Sequence, residues 1–177
     1  ADVILWDGGN NDFSFYKHDL LITIADPHRP GHEISYYPGE SNFMMADAIV
    51  ISKVNTAKKE NIRIVEDNAH QYNSDAKIVK ASLEIIVGDA SKIKGKKVLV
   101  IEDGPTLTHG GMRYGAGMLA AKKYGAKPID PKKYAVGSIK DIYKKYPHLN
   151  NILPAMGYSD RQIRELESTI NKTKCNV

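Results

Sequence analysis

Four short apolar runs stand out along a largely polar chain: VILW at 3–6, LLITIA at 20–25, AIVIS at 48–52 and VLVIE at 98–102. Each is nearly continuous rather than alternating, the pattern of strands covered on both faces. Buried strands of this kind belong to parallel sheets, whose crossovers are usually helices. Between the third and fourth runs, Thr56 is placed to cap a helix running to about Gln71, with Ile62, Ile64 and Val65 as its apolar positions. The stretch 76–87 alternates in its first half and is continuously apolar in its second, which predicts at least one strand. After Gly117 the run MLAAKKYGA predicts a helix that stops at Gly125, and Pro128 and Pro131 then interrupt regular structure. Ser159 followed three residues later by Gln162 is a capping box, and Ile163, Leu166 and Ile170 make the apolar stripe of a terminal helix. The expected fold class is α/β, a mostly parallel sheet with flanking helices.

Composition narrows the class. The 177 residues, 42% hydrophobic, fit a single α/β domain over 1–177, with no internal repeat or obvious linker. The single cysteine, Cys175, excludes an intrachain disulfide. No apolar run approaches the roughly 18–20 residues of a membrane span, so no membrane partner and a cytoplasmic location are expected. Residues 122–177 carry 12 basic and 5 acidic side chains, whereas residues 1–121 carry 13 and 16. That basic end is read either as a solvated surface or as a face that attracts anions. Lysine pairs such as Lys122-Lys123 and Lys132-Lys133 come without stacked aromatics, so no nucleic-acid partner is expected.

Four polar constellations follow the apolar runs. Asp7-Gly8-Gly9-Asn10-Asn11-Asp12 places a carboxylate and two glycines at a strand end, where open α/β sheets bind ligands; a plain turn is the other reading. The loop ADPHRPGHE gathers Asp26, His28, Arg29, His32 and Glu33. Its arginine fork suits phosphate or carboxylate and its histidines suit proton transfer, while a metal set of Asp26, His28 and His32 and a solvated loop stay open. Ser52-Lys53-Val54-Asn55 resembles the guanine-reading Asn-Lys-x-Asp loop of GTPases but departs from it at both ends.

The fourth constellation is the most distinctive. Strand VLVIE runs into Asp103-Gly104-Pro105-Thr106-Leu107-Thr108-His109-Gly110-Gly111, and a helix is expected from about Tyr114. A glycine-rich, hydroxyl-bearing turn before a helix N-terminus is expected to offer amides to phosphate. Thr106, Thr108, Gly110 and Gly111 would make contacts, His109 would move a proton and Arg113 would neutralise charge. A Walker A loop is missing from this sequence: the nearest candidate, Gly88 to Gly95-Lys96-Lys97, has the wrong spacing and ends in lysine.

Taken in order, WDGGNNDF, ADPHRPGHE, SYYPGE, NFMMADAIVISKVNTA and VLVIEDGPTLTHGGM resemble the archaeal-type cyclic 2,3-diphosphoglycerate synthetase family of predicted GTPases, over nearly the whole chain. The resemblance implies a P-loop NTPase-like fold, here incomplete at both ends. It implies Mg²⁺ with ATP or GTP as cofactors, and nucleotide-driven phosphoanhydride formation on 2,3-diphosphoglycerate or a related acid activation. Asp7 would serve catalysis and Mg²⁺, Gly8 and Gly9 the γ-phosphate, and Lys53 and Asn55 the base. From their residue chemistry rather than from the resemblance, Arg29 and His109 are expected to be catalytic, with His28 and His32 contacting the phosphorylated substrate. Without the P-loop the isolated chain is expected to be inactive, and a homo-oligomer or a partner chain carrying the P-loop is expected to complete it. A module that binds a phosphate ligand or nucleotide without chemistry, or a structural remnant, are the rival expectations.

Overall fold

The computed structural model of the protein describes residues 1–9 and 12–177. They fall into two compact units, Ala1–Glu84 and Ile85–Val177.

The first unit is built from two βαβ crossovers. Strand β1 (Ile22–Ala25), helix α1 (Gly39–Met45), strand β2 (Ala48–Ile51), helix α2 (Lys59–Tyr72) and strand β3 (Lys77–Lys80) form a parallel sheet in the order β1-β2-β3. The register sets Ile22 beside Ala48 and Ala48 beside Lys77, so Ala25, Ile51 and Lys80 end the strands at one level. One face carries the core: Ala25, Ile49 and Ile51 pack with Phe43 and Ala46 from the α1 side and Val65 and Ala69 of α2. Fully burying side chains such as Phe43, Ile49 and Val65 contributes about 1.5–3 kcal/mol each. Asn73 fastens the far end of α2 by donating its amide to the carbonyls of Phe43 (3.0 Å) and Ala46 (2.8 Å).

The opposite face departs from the expectation of strands covered on both sides. Ile22 and Ile24, which share that face by the period of two, are 53% and 70% exposed. The VILW run is likewise no strand: residues 1–9 hold no regular element, and Val3, Ile4 and Leu5 are exposed. A strand gains from a ladder partner and a covering layer, and among the described residues this segment has neither. Two boundaries also differ. Helix α2 begins at Lys59 after an extended Lys58, because Thr56 turns its hydroxyl back to the carbonyl of Lys53 (3.2 Å) instead of capping. Strand β3 takes only the alternating half of 76–87, and residues 81–87 follow without a regular element.

The second unit divides the VLVIE run. Strand β4 (Lys97–Val98) pairs with β6 (Lys127–Pro128), and β5 (Ile101–Asp103) pairs with β7 (Leu153–Ala155), both parallel. Helices α3 (Gly104–Leu107), α4 (Ala116–Lys123), α5 (Ser138–Lys145) and α6 (Asp160–Lys172) complete it. Val98, Val100, Leu107, Ile139, Leu149, Ile152 and Leu153 make the core, and the buried Tyr143 hydroxyl donates to the carbonyl of Ile152 (2.7 Å). Helix α4 ends as expected near Gly125, whose φ of 69° is the left-handed stop. The predicted cap on α6 is present: the Ser159 hydroxyl accepts from the Gln162 amide (3.3 Å), while the Gln162 side chain accepts from the amide of Tyr158 (3.0 Å). The chain is thus α/β, short parallel sheets flanked by helices. Among the described residues no helix is long and apolar enough to cross a membrane.

Glu165 of α6 ties that helix to the start of α5. One oxygen accepts from the amide and hydroxyl of Ser138, and the other from Arg161 (2.9 Å). Gly137 makes room: its φ is +50°, and a Cβ there would lie 2.2 Å from the Glu165 carboxylate. Hydrogen bonds from Ser138, then from Arg161, hold the Glu165 carboxyl near 2, against an ordinary 4.5. A depressed carboxyl stabilises the fold above its unfolded value, and that contribution disappears as pH falls through the folded value. Melting temperatures measured by circular dichroism should therefore fall between about pH 4.5 and 2 in the parent chain. They should fall less steeply over that window in Glu165→Gln; superimposable pH profiles would contradict this role.

Candidate functional site

Parallel pairing brings the loops after β1 and β2 to the same edge of the first sheet, the edge at which open α/β sheets hold ligands. Asp26 is the first residue beyond β1. Ser52, first beyond β2, locks the two strand ends by donating its amide (3.0 Å) and hydroxyl (3.1 Å) to the carbonyl of Ala25. Lys53 then takes a left-handed backbone with φ 56°. For a residue with a Cβ this costs on the order of 1–2 kcal/mol. The turn that compensates is closed by the Thr56 and Ala57 amides on the Lys53 carbonyl. It delivers the Lys53 ammonium to Asp26 Oδ2 at 2.7 Å.

Asp26 is a hub. Its Oδ2 also accepts from Arg29 Nη2 (3.2 Å), and its Oδ1 accepts from the His28 amide (3.0 Å). The ring Nε2 of His28 lies 3.0 Å from the Thr56 hydroxyl, a second tie between the two loops. Burial pulls the Asp26 carboxyl upward. The hydrogen bonds from Lys53 and the His28 amide, with the charges of Lys53 and Arg29, outweigh it and hold the group below the ordinary carboxylate value. Two cations converge on one carboxylate, so positive charge is in excess within this triad. Arg29 Nε is moreover buried and has no hydrogen-bond partner among the described residues. A buried donor without an acceptor costs about 1–3 kcal/mol, and an anion placed against the guanidinium would remove that cost.

The other expected residues of this unit lie apart from the hub or are engaged. His32 is exposed and packs edge-on against Tyr36 at 4.9 Å. The Asn55 side chain clasps residue 83, donating to the Leu83 carbonyl (3.1 Å) and accepting from its amide (3.1 Å), so both ends of its amide group are used within the chain. Asp7 is exposed, Gly8 lies under the Trp6 ring, and Gly9 closes a turn with Asp12 through its amide (3.0 Å to Oδ2). Asn10 and Asn11 of that constellation lie outside the described residues. Among the described residues no group of three His, Cys, Asp or Glu is placed to hold a metal ion.

In the second unit the Thr106–Gly111 loop differs from the expected open cradle. Asp103 caps α3 by accepting from the Thr106 amide (2.9 Å), and Thr106, through side chain and amide, holds that carboxyl low. Thr108 is buried and spends its hydroxyl proton on the Gly104 carbonyl (2.8 Å). The amides of Gly110 and Gly111 donate to the carbonyls of Pro105 (2.9 Å) and Thr108 (3.3 Å). Gly110 is required there, since a Cβ would lie 2.6 Å from the Thr106 carbonyl oxygen. The helix begins at Ala116 rather than near Tyr114, and Glu102 already fills its N-terminus, accepting from the amides of Gly115 (3.0 Å) and Met118 (2.8 Å). A carboxylate at this end complements the helix dipole just as a bound phosphate would. His109 and Arg113 are exposed, and His109 faces Tyr146, which in turn faces His148.

The sequence pattern offers Asp26 only as a possible metal ligand and Thr56 as a helix cap. The structure makes the first an ion-pair hub and the second a loop tie. The ties between the two loops have no local signal, because Lys53 lies 27 residues from Asp26 and His28 lies 28 from Thr56.

No family model and no solved structure matches the chain. It is 59% identical over 178 residues to the arginine synthetase ArcE of Thermococcus kodakarensis, an alignment spanning all of this chain and 40% of that protein. It is 28% identical over 105 residues to the cyclic 2,3-diphosphoglycerate synthetase of Thermococcus sibiricus, covering 59% of this chain and 24% of that protein. The expected resemblance is therefore present over part of the chain, and a stronger one connects it to a synthetase of another name. The chain spans about two fifths of the length of the first relative and about a quarter of the second.

If Asp26 holds the two loops together, its removal leaves Lys53 and Arg29 facing each other without a counter-ion. Asp26→Ala should lower stability by about 1–2 kcal/mol in urea unfolding, a figure reduced because both cations are a third exposed. A change within about 0.3 kcal/mol would show the hub to be ornamental.

Proposed function

We propose that this chain is part of a nucleotide-dependent synthetase in which the rim around Asp26, Arg29 and Lys53 holds the anionic end of a substrate. The single observation that carries the reading is the convergence of two cations on one carboxylate, with Arg29 Nε buried and unpartnered. A planar guanidinium beside a point-charge ammonium suits a carboxylate or phosphate oxygen pair. His28, fixed on Thr56, borders the same rim and brings an imidazole able to carry a proton. The strong similarity to a protein named arginine synthetase favours an amino-acid substrate held by its carboxylate. Phosphoanhydride formation on 2,3-diphosphoglycerate is the second reading, favoured by the weaker similarity.

ATP or GTP with Mg²⁺ would supply phosphoryl transfer to activate the acceptor oxygen. Mg²⁺ usually takes one or two carboxylates and completes its shell with phosphates and water, so Asp7 alone would suffice as a protein ligand. Lys53 and Asn55 would meet a base only by giving up their present partners, Asp26 and Leu83. The missing Walker A loop is then supplied by a further segment of a longer protein or by a partner chain. Among the described residues the apolar face at Ile22 and Ile24 is bare and the outer edge of β1 is unpaired, which supports this, because an open edge and face of this kind invite a further strand.

Calorimetric titration with arginine, with 2,3-diphosphoglycerate and with Mg-ATP separates the readings. One of the first two ligands should bind, and Arg29→Ala or Lys53→Ala should weaken it about tenfold or more. Equal affinity in parent and both variants, or no binding of either ligand, would refute the rim as the substrate site.

A further inference from the structure

A second cationic concavity lies in the other unit, among residues to which neither the similarities nor the sequence motifs assign a role. Strand β4 is flanked on both sides. On one side the Ile129 amide bonds the carbonyl of Val98 (3.1 Å) and brings the 129–134 loop alongside. On the other the tail lies against the strand: Asn176 accepts from the Lys97 amide through its side chain (2.9 Å) and donates its own amide to the Lys97 carbonyl (2.8 Å). The Leu99 amide donates to the carbonyl of Val177 (2.8 Å) and continues the tail pairing. These bonds bring Lys97, Lys132, Lys133 and Lys174 together with Asp130 and Tyr134 around a cavity of about 560 Å³.

The charge there is uncompensated. Asp130 is the one carboxylate of the lining, and its Oδ1 accepts from the backbone amide of Lys132 (3.0 Å). Lys132 donates to Asn150 (2.9 Å), and Lys133 lies 5.0 Å from the centre of the Tyr134 ring. Among the described residues Lys97 and Lys174 enter no ion pair. Among the lining residues four ammonium groups face one carboxylate, which raises a local positive potential. The unit as a whole adds to it, with 17 Lys and Arg against 8 Asp and Glu, whereas the first unit has 8 against 13.

We propose that this cleft is a binding site for a small polyphosphate, a ligand carrying at least two phosphoryl groups. The volume falls within the range of about 300–1,000 Å³ typical of ligand pockets and exceeds what one phosphate fills. Ammonium groups are point-charge donors without the planar fork that selects carboxylates, and several of them spread around a cavity match the distributed charge of linked phosphates. Tyr134 is the one aromatic side chain of the lining, too few for the successive base stacking that single-stranded nucleic acid needs.

Calorimetry with inorganic pyrophosphate on the 177-residue chain provides the test. One site should be seen, binding about tenfold or more tighter than orthophosphate and weakening steeply with added salt. Lys97→Gln combined with Lys174→Gln should lose about tenfold in pyrophosphate affinity, as should Lys133→Gln with Lys174→Gln, with circular dichroism melts unchanged because these lysines are at the surface. Arg29→Gln reports on the rim around Asp26: pyrophosphate affinity lost in that variant and kept in both double variants would place the ligand at the rim and overturn the proposal. Absence of pyrophosphate binding, parent-like affinity in both double variants, or stronger binding of a single-stranded oligonucleotide than of pyrophosphate would overturn the proposal.

Discussion

A carboxylate held between two cations is what gives the first unit a site rather than a set of loops. Parallel pairing aligns the ends of β1 and β2, but alignment alone leaves the loops beyond them free to diverge. Asp26 joins them: Lys53 reaches it across 27 residues of sequence, Arg29 reaches it from within its own loop, and the His28 amide completes its shell. The left-handed backbone at Lys53 is tolerated because the turn it opens is closed by three bonds to its own carbonyl. Removing the hub would leave that strained turn without its main external anchor.

The same sheet shows the cost of having one layer. Ala25, Ile49 and Ile51 are sealed by α1 and α2, whereas Ile22 and Ile24 on the other face meet solvent. At about 25 cal/mol per Å² of apolar surface, a covering strand or layer would gain several kcal/mol by docking there. The two units treat phosphate-binding features differently. In the second unit the chain's own carboxylates, Asp103 and Glu102, occupy the helix ends that looked available to an anion. Its uncompensated charge lies instead among the lysines around β4.

Which features were legible in the sequence follows from how local their causes are. The LLITIA and AIVIS strands, the Gly125 stop and the Ser159 cap depend on side chains within a few residues, and all are found. The VILW run has the same apolar character, yet a strand also needs a neighbour, and composition does not report whether one exists. Thr56 sits where a cap is expected, but the tighter turn after Lys53 takes its hydroxyl. Arg29 and Lys53 were readable as anion-seeking types. That Lys53 shares Asp26 with Arg29 was not, because an ion pair across two loops leaves no periodicity. The bonds of Glu102 to the amides of Gly115 and Met118 span 13 and 16 residues, a spacing that carries no local signal.

The most direct measurement is the ¹³C carboxyl titration of Asp26 by NMR. With Lys53 and Arg29 both on Oδ2, its midpoint should lie below the ordinary aspartate value of 3.8 and move upward in Lys53→Met. A midpoint at or above 3.8 in the parent chain, unmoved by that substitution, would mean that the two cations do not converge there and that the rim is not a site.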